Sequence, residues 1–336
     1  MKRGSLYVDG NDLYLTYGIF VTEGGWNELI AFPPLKTVDK NEWYEEDGEE
    51  ADLSNPVLNT KEVQISFAVS GVYSRFEEFV DMLSDGAYHT FECAAIKRNF
   101  TLRLTSQPNS KLYYALGFVT MKFANDYPLK GYEYEAPVSS VMSCDDFTLD
   151  GHLFTEYGAR VLQGAISEIK KTAAVKPNLL RNYKYTSGAL YDGRNVFFKS
   201  KDVKLSILMR AETLEELWRN YDALLFDLIR PDERILLVNS MEAEFPCYYK
   251  SSTVTKFFPT GKIWLEFTIT LTFTRDFRIT VSDTVLSSED GIIIITDTTE
   301  LPVDMLLDKY TIPTMRLVNN RQTMRFTSNK KLRFNN

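Results

Sequence analysis

The chain has 336 residues, 44% hydrophobic and 25% charged, with 46 acidic against 38 basic side chains and a net charge of −8. That length suits about two domains with material left over, and the acidic balance argues against a broad nucleic-acid-binding face. Cys93, Cys144 and Cys247 have neither the even count of a disulfide framework nor metal-ligand spacing; reduced thiols and synthesis in a cytoplasm are expected.

The N-terminal Met1-Lys-Arg-Gly-Ser5 runs straight into polar residues, so no signal-peptide apolar region is expected. The longest aliphatic run, Ile292–Ile295, is far too short to span a bilayer. In chain order, Asp9-Gly10 is a strong hairpin-turn signal between two short apolar runs, the second being Leu13-Tyr-Leu15, and Tyr17-Gly18 follows. A long connector from about Gly24 to Thr60 holds Pro33-Pro34, which cannot sit in a central strand. It also holds the acidic run Trp43–Asp52, expected to be a solvated turn around Gly48.

Lys61-Glu-Val-Gln-Ile-Ser-Phe67 then alternates apolar and polar residues as a strand does. Phe76, Phe79, Val80 and Leu83 follow at helical spacing, so a helix with one apolar stripe is predicted to lie against the sheet. Strands are predicted at Phe100–Leu104 and Tyr113–Phe123, before Ala124-Asn-Asp-Tyr127.

The same series then returns. Asp150-Gly151 leads to Tyr157-Gly158, and a connector from Lys176 to Ser200 carries Asp192-Gly193. Lys201–Ile207 repeats the marker strand, with Val203 and Ser206 standing 140 positions after Val63 and Ser66. A helix over Thr213–Leu225 is expected, with Thr213 and Glu216 at capping-box spacing and Pro231 marking its end. Strands at Phe245–Tyr249 and Ile263–Phe273 lead to Thr274-Arg-Asp-Phe277, where Phe273 and Asp276 stand 150 positions after Phe123 and Asp126. The order of matches predicts a mainly β chain with flanking helices, made of two tandem copies over residues 1–140 and 141–283. The boundary falls in Tyr132–Cys144. A C-terminal extension over 284–336, with strand-like basic segments around Arg316, Arg325 and Arg333, is too short to build an ordinary core alone. Its isoleucine run is expected to pack on the second copy or on a neighbouring subunit.

The chain is poor in catalytic signals. It has two histidines, His89 at a loop-to-strand junction and His152 in a turn, both expected to be surface or turn residues. It has no Gly-x-Ser-x-Gly elbow, phosphate-binding loop or dinucleotide fingerprint. The acidic run lacks the alternating spacing of a calcium loop. Among 46 acidic residues some carboxylate pair always exists, so a glycosidase reading has no specificity. Trp26, Trp43 and Tyr44 are expected to plug the long loop onto its own domain, the alternative being a platform for sugars or a partner protein. No catalytic, cofactor-binding or metal residue is assigned, and no enzyme activity is expected.

The hairpin from Asp9-Gly10 to Tyr17-Gly18, the turn at Asp47-Gly48 before Lys61–Phe67, and the helix at Ser74–Leu83 resemble the N-terminal domain of phage distal tail (Dit) proteins. The second copy carries the same series at Asp150-Gly151, Tyr157-Gly158, Asp192-Gly193, Lys201–Ile207 and Thr213–Leu225. The resemblance covers about residues 5–280. It implies tail-tube-like β-sandwich or split-barrel domains, each with a flanking helix. It further implies a structural virion protein of the distal tail or baseplate, made in the host cytoplasm. Such a protein forms a ring that joins the tail tube to the tail tip and surrounds the DNA channel. The implied partners are other copies of itself, the tail tube protein, and tail-tip, hub and tape-measure proteins; DNA passes through without specific contact. This chain departs from the family in carrying two copies, so a trimer with pseudo-sixfold symmetry and a hexamer both follow from it. A carbohydrate- or receptor-binding tail module is the alternative reading.

Overall fold

The structure is a computed structural model. It describes residues 4–71, 73–113, 116–139, 146–177, 180–190 and 196–275, together with the short stretches 294–296, 314–317, 323–326 and 332–334.

The first half begins with β1 (Tyr7–Val8) and β2 (Asn11–Asp12), joined by a two-residue turn at Asp9-Gly10. Both turn residues have positive φ, 49° and 82°, which suits a tight hairpin. The run after the hairpin was expected as a second apolar strand segment. It is instead α1 (Leu13–Tyr17), because the Asp12 carboxylate caps the backbone N–H groups of Tyr14 and Leu15 and Gly18 ends the helix at φ 71°. Then come β3 (Ile19–Val21), α2 (Asn27–Ile30), β4 (Lys40–Asn41), β5 (Glu50–Ala51), β6 (Lys61–Ser70), α3 (Tyr73–Leu83), β7 (His89–Cys93), β8 (Arg98–Tyr113) and β9 (Leu116–Asn125). Along β6 the side chains of Lys61, Val63, Ile65 and Phe67 are buried and alternate with exposed or half-buried ones. Phe79 of α3 packs edge-on to Phe67 at 6.2 Å.

The second half begins with β10 (Phe147–Leu149) and β11 (His152–Leu153) around Asp150-Gly151, followed by a 3-10 turn at Phe154–Tyr157 that ends at Gly158 with φ 65°. It continues with β12 (Ala159–Val161), α4 (Ala165–Ile169), β13 (Arg181–Asn182), β14 (Ala189–Leu190), β15 (Lys201–Ala211), α5 (Leu214–Leu228), β16 (Arg234–Val238), a 3-10 turn at Asn239–Met241, β17 (Ala243–Phe258) and β18 (Ile263–Phe273). Thr213 caps α5 by accepting from the N–H of Glu216 at 3.1 Å. The Glu216 carboxylate accepts from the N–H of Glu212, one residue before the cap, so the reciprocal bond of a capping box is displaced by one position.

Two seven-stranded antiparallel sheets result. Their orders are β2-β1-β7-β8-β9-β6-β3 and β11-β10-β16-β17-β18-β15-β12, which correspond strand for strand. The protein is therefore mainly β, with curled antiparallel sheets and few helices. Small contacts recur with the strands. The N–H of Thr22 bonds to Ser66 O at 3.0 Å, and that of Leu162 to Ser206 O at 2.7 Å. Ser66 Oγ lies 3.3 Å from Thr120 Oγ1, and Ser206 Oγ 3.3 Å from Thr268 Oγ1.

Helix α3 fits the predicted single stripe, with Phe76, Phe79 and Leu83 buried and Val80 half-buried. Helix α5 does not. Asn220, Ala223 and Asp227 are buried on it as well as the leucines, because the first half and the segment 132–139 cover its other side. Residues 1–277 form one compact unit and 278–336 another. Within the second unit, β19 (Ile294–Thr296), β20 (Thr314–Leu317), β21 (Thr323–Phe326) and β22 (Leu332–Phe334) pair in sequence order as a four-stranded antiparallel sheet. Three of these strands fall on the basic segments expected to be strand-like; of the other features singled out in the sequence, Asp192-Gly193, Asp276-Phe277 and Ile292-Ile293 lie outside the described residues.

Candidate interaction site between the two halves

A cluster of buried charged and polar groups lies where the halves meet. It was expected to be solvent: the acidic run after Trp43. Glu45 and Glu46 are exposed, but Gly48 and Glu49 are buried, because the β4–β5 hairpin folds onto the second half. The N–H of Gly48 donates to Phe198 O at 2.8 Å, and that of Glu49 to Thr274 O at 2.9 Å. Asp47 Oδ1 accepts from the N–H of Phe198 at 2.8 Å. Gly48 has φ 77° and lies so close to the second half that a Cβ there would sit 1.6 Å from Thr274 O. No other residue type fits that approach.

Two charged groups lock the hairpin down. Lys176 is 2% exposed, and its Nζ donates to the carbonyls of Trp43, Glu46 and Gly48 at 2.7, 2.9 and 2.6 Å. A buried ammonium needs several acceptors, and the hairpin backbone supplies them. In return, the Glu49 carboxylate accepts from Ser200 Oγ at 2.6 Å, Tyr248 Oη at 2.9 Å and Lys40 Nζ at 2.7 Å. Burial pushes the Glu49 carboxyl up, but the hydrogen bonds from Lys40, Ser200 and Tyr248 outweigh it and hold the group below its ordinary range. The Lys40 ammonium is raised mainly by its bond to Glu49. Burial and the neighbouring Glu49 push the Tyr248 phenol up to about 12.

Beside this clasp, aromatic side chains of the second half reach into the first. Trp218 Nε1 donates to Ile96 O at 2.7 Å, Tyr221 Oη to Ile30 O at 3.0 Å, and Tyr249 Oη to Pro33 O at 2.9 Å. Phe32 stacks on Tyr221 with ring centroids 4.0 Å apart. Arg98 lies over the Trp218 ring at 4.7 Å and pairs with Asp222 at 2.7 Å. A cavity of about 460 Å3 opens here, with Lys61, Arg98, Phe100, Tyr127 and Trp218 among its walls. Its cations are already engaged: Arg98 with Asp222, Lys97 with Glu215 at 2.6 Å, Lys61 with backbone carbonyls, and Lys130 over the Tyr127 ring at 5.9 Å.

Lys61 is the residue whose role sequence reasoning missed. In the sequence it stands simply as the first residue of the marker strand. Its buried Nζ donates to the carbonyls of Leu29, at 2.5 Å, and Ala31. Lys201, 140 positions on, donates to Ile169 and to Lys171 at 2.9 Å, themselves 140 positions beyond Leu29 and Ala31. Each lysine satisfies carbonyls at the end of a short helix that has no further turn to bond them. Burial lowers both pKa values, Lys61's well below the ordinary range, where the charge of Arg98 adds to the effect and Glu28 opposes it. The available signal is a lysine at the same position of both marker strands, Lys61 and Lys201.

No protein-family model and no curated protein sequence matches the chain. Among solved structures it is similar to the crystal structure of the SPP1 Dit (gp 19.1) protein, described as a paradigm of the hub adsorption apparatus in Gram-positive infecting phages. The TM-score is 0.30 and the identity 14%, over 80% of this chain and 98% of that one.

The other residues singled out in the sequence take structural positions. His89, expected at a surface or turn, is buried; its Nδ1 lies 2.6 Å from Asp9 Oδ2 and its Nε2 3.2 Å from Asp85 Oδ1. Arg234 does the same work in the second half, donating to Asp150 Oδ2 at 2.7 Å. Each side chain steadies the aspartate of a positive-φ hairpin turn. His152 is exposed and pairs with Glu156 at 3.1 Å. Cys93 and Cys247 are buried free thiols whose pKa values burial raises; Cys144 lies outside the described residues. The aromatics of the long loop divide. Trp26 is buried, as expected of a plug. Trp43, bonded to Glu50 at 2.9 Å, and Tyr44 remain exposed, because the loop docks through its backbone rather than its rings. Among the described residues no group of three or more acidic, histidine or cysteine side chains is placed to hold a metal, and no helix is long and apolar enough to cross a membrane.

Proposed function

We propose that this chain is a structural subunit of a phage or prophage distal tail or baseplate, built by tandem duplication of one domain. In this reading it closes into a ring that joins the tail tube to the tail tip and surrounds the DNA channel. One observation carries it. The halves have the same strand order, yet they meet through unlike faces: the first presents its 27–53 connector and the β7–β8 turn at Ile96–Arg98, the second presents α5, β17, the 196–201 segment and Thr274. A contact between different faces of like units leaves one face of each kind open, and such contacts propagate into a ring where the rotation closes and into a filament where it does not; the ring is the form this reading takes. The sequence resemblance to distal tail proteins supports the same reading. The net charge of −8 also suits a channel wall from which DNA phosphates slide rather than stick. In this reading the C-terminal unit is a contact between subunits or along the tail axis, toward tube, hub or tape-measure proteins.

The test is the oligomeric state of the purified full chain. Light scattering should give a closed oligomer, a trimer or a hexamer, and negative-stain images should show rings. A strict monomer at high concentration overturns the reading. The exposure of Trp43 and Tyr44 favours a second reading, a glycan- or receptor-binding tail module. Glycan-array binding lost on Trp43→Ala, in a protein that forms no rings, would establish it.

A further inference from the structure

The β4–β5 hairpin has a twin that docks on nothing within the described residues. In the β13–β14 hairpin every residue from Leu180 to Leu190 is exposed, including Tyr183 and Tyr185. A projecting two-stranded hairpin with apolar side chains in water is marginal by itself. Its backbone matches that of the docked one. The N–H of Thr186 bonds to Tyr183 O at 3.2 Å, as that of Glu46 does to Trp43 O at 3.5 Å. Gly188 has φ 84° where Gly48 has 77°. The glycine that admits the second half at 1.6 Å therefore recurs, but a Cβ on Gly188 would meet nothing within 4 Å.

The surface that receives the docked hairpin also has a twin. Lys176 sits beside the Val175–Phe198 bridge, and its N–H bonds to Phe197 O at 2.7 Å. Lys36 sits beside the Leu35–Leu58 bridge, and its N–H bonds to Val57 O at 2.8 Å. The flanking bonds match too: Lys199 to Ala174 O at 2.7 Å, Asn59 to Pro34 O at 2.8 Å. Lys176 is buried under the hairpin that it holds; Lys36 is exposed.

We infer that the β13–β14 hairpin of one copy docks on the first half of a second copy of this chain, with Lys36 of that copy donating to the carbonyls of Tyr183, Thr186 and Gly188. This rests on the ring reading above and adds its interface. Ser187 stands where Asp47 does, and its hydroxyl is placed to accept from the N–H of Leu58 as Asp47 accepts from Phe198. Ala189 replaces Glu49, so the carboxylate that ties the in-chain clasp to Ser200 and Tyr248 has no equivalent. The contact between copies is accordingly the weaker of the two.

The experiment is self-association of the full-length chain, by light scattering over a dilution series, for wild type, Lys36→Ala and Gly188→Val. Both variants change exposed positions, and circular dichroism melting checks that each still folds. Each should dissociate at concentrations on the order of ten-fold or more above those at which wild type does. Amine cross-linking of mixed light- and heavy-isotope protein should join Lys36 of one copy to Lys184 of another. An oligomer that persists unchanged in both folded variants, without that cross-link, overturns the inference and leaves the ring standing. A wild type that never associates overturns both.

Discussion

An ammonium group leaves water only where acceptors replace its hydration, and Lys61 meets that condition with the carbonyls of Leu29 and Ala31. Lys61→Met keeps most of the stem's volume and removes the donor, leaving two carbonyls unsatisfied. A loss of about 1–3 kcal/mol is expected in denaturant unfolding, with a similar loss for Lys201→Met; no change at either site would mean that water serves those carbonyls equally well. Glu49 gives a pH dependence. Its folded pKa lies below the unfolded one, so its contribution is fully present above the ordinary carboxylate range. As pH falls through that range and then through the folded value, the contribution is lost. Glu49→Gln should therefore destabilise the chain by about 1–3 kcal/mol at neutral pH and by progressively less in acid. Parallel pH–stability curves for the two proteins would contradict the clasp.

At the scale of elements, the two hairpins form a matched pair for measurement. Gly48→Ala and Gly188→Ala place a side chain at nearly the same left-handed φ, which strains both alike by about 1–2 kcal/mol. Only the first also drives a Cβ into Thr274 O. In dilute solution Gly48→Ala should lower the melting temperature by clearly more than Gly188→Ala, and the difference reports the in-chain docking. Equal shifts would mean that the β4–β5 hairpin is not held. The same pair shows what the sequence makes legible. Marker strands, helices and Asp-Gly turns are local patterns of period and turn chemistry, and they occur in the same order in both halves. The burial of Glu49 is set by Ser200 and Tyr248, far along the chain, so a window around the acidic run reads as solvent. Lys176 beside Pro177 reads as a loop lysine for the same reason. Likewise Leu13–Tyr17 became a helix because one aspartate capped it, a choice that alternating hydrophobicity does not register.

At the scale of the whole molecule, the question is whether the halves fold as two bodies or as one. Each has its own sheet, but Trp218, Tyr221 and Tyr249 bridge to first-half carbonyls from within a core that runs through both. A bridge of that kind couples opening, because unfolding either half strands the polar groups and exposes the aromatic surface of the other. Central amides of β6 and β15 should therefore share one limiting protection in native-state hydrogen exchange. Trp218→Ala removes the Ile96 bond and the platform under Arg98, at a cost of about 3–5 kcal/mol. Its effect should fall unequally once the bridge is gone, with the two strands' protection separating by on the order of ten-fold per 1.4 kcal/mol of lost coupling. Strands already protected to different limits in wild type would mean that the halves are independent bodies, and the in-chain contact would then be a poor template for one between copies. A common limit that splits in the variant would show that the bridge joining unlike faces is strong enough to build with.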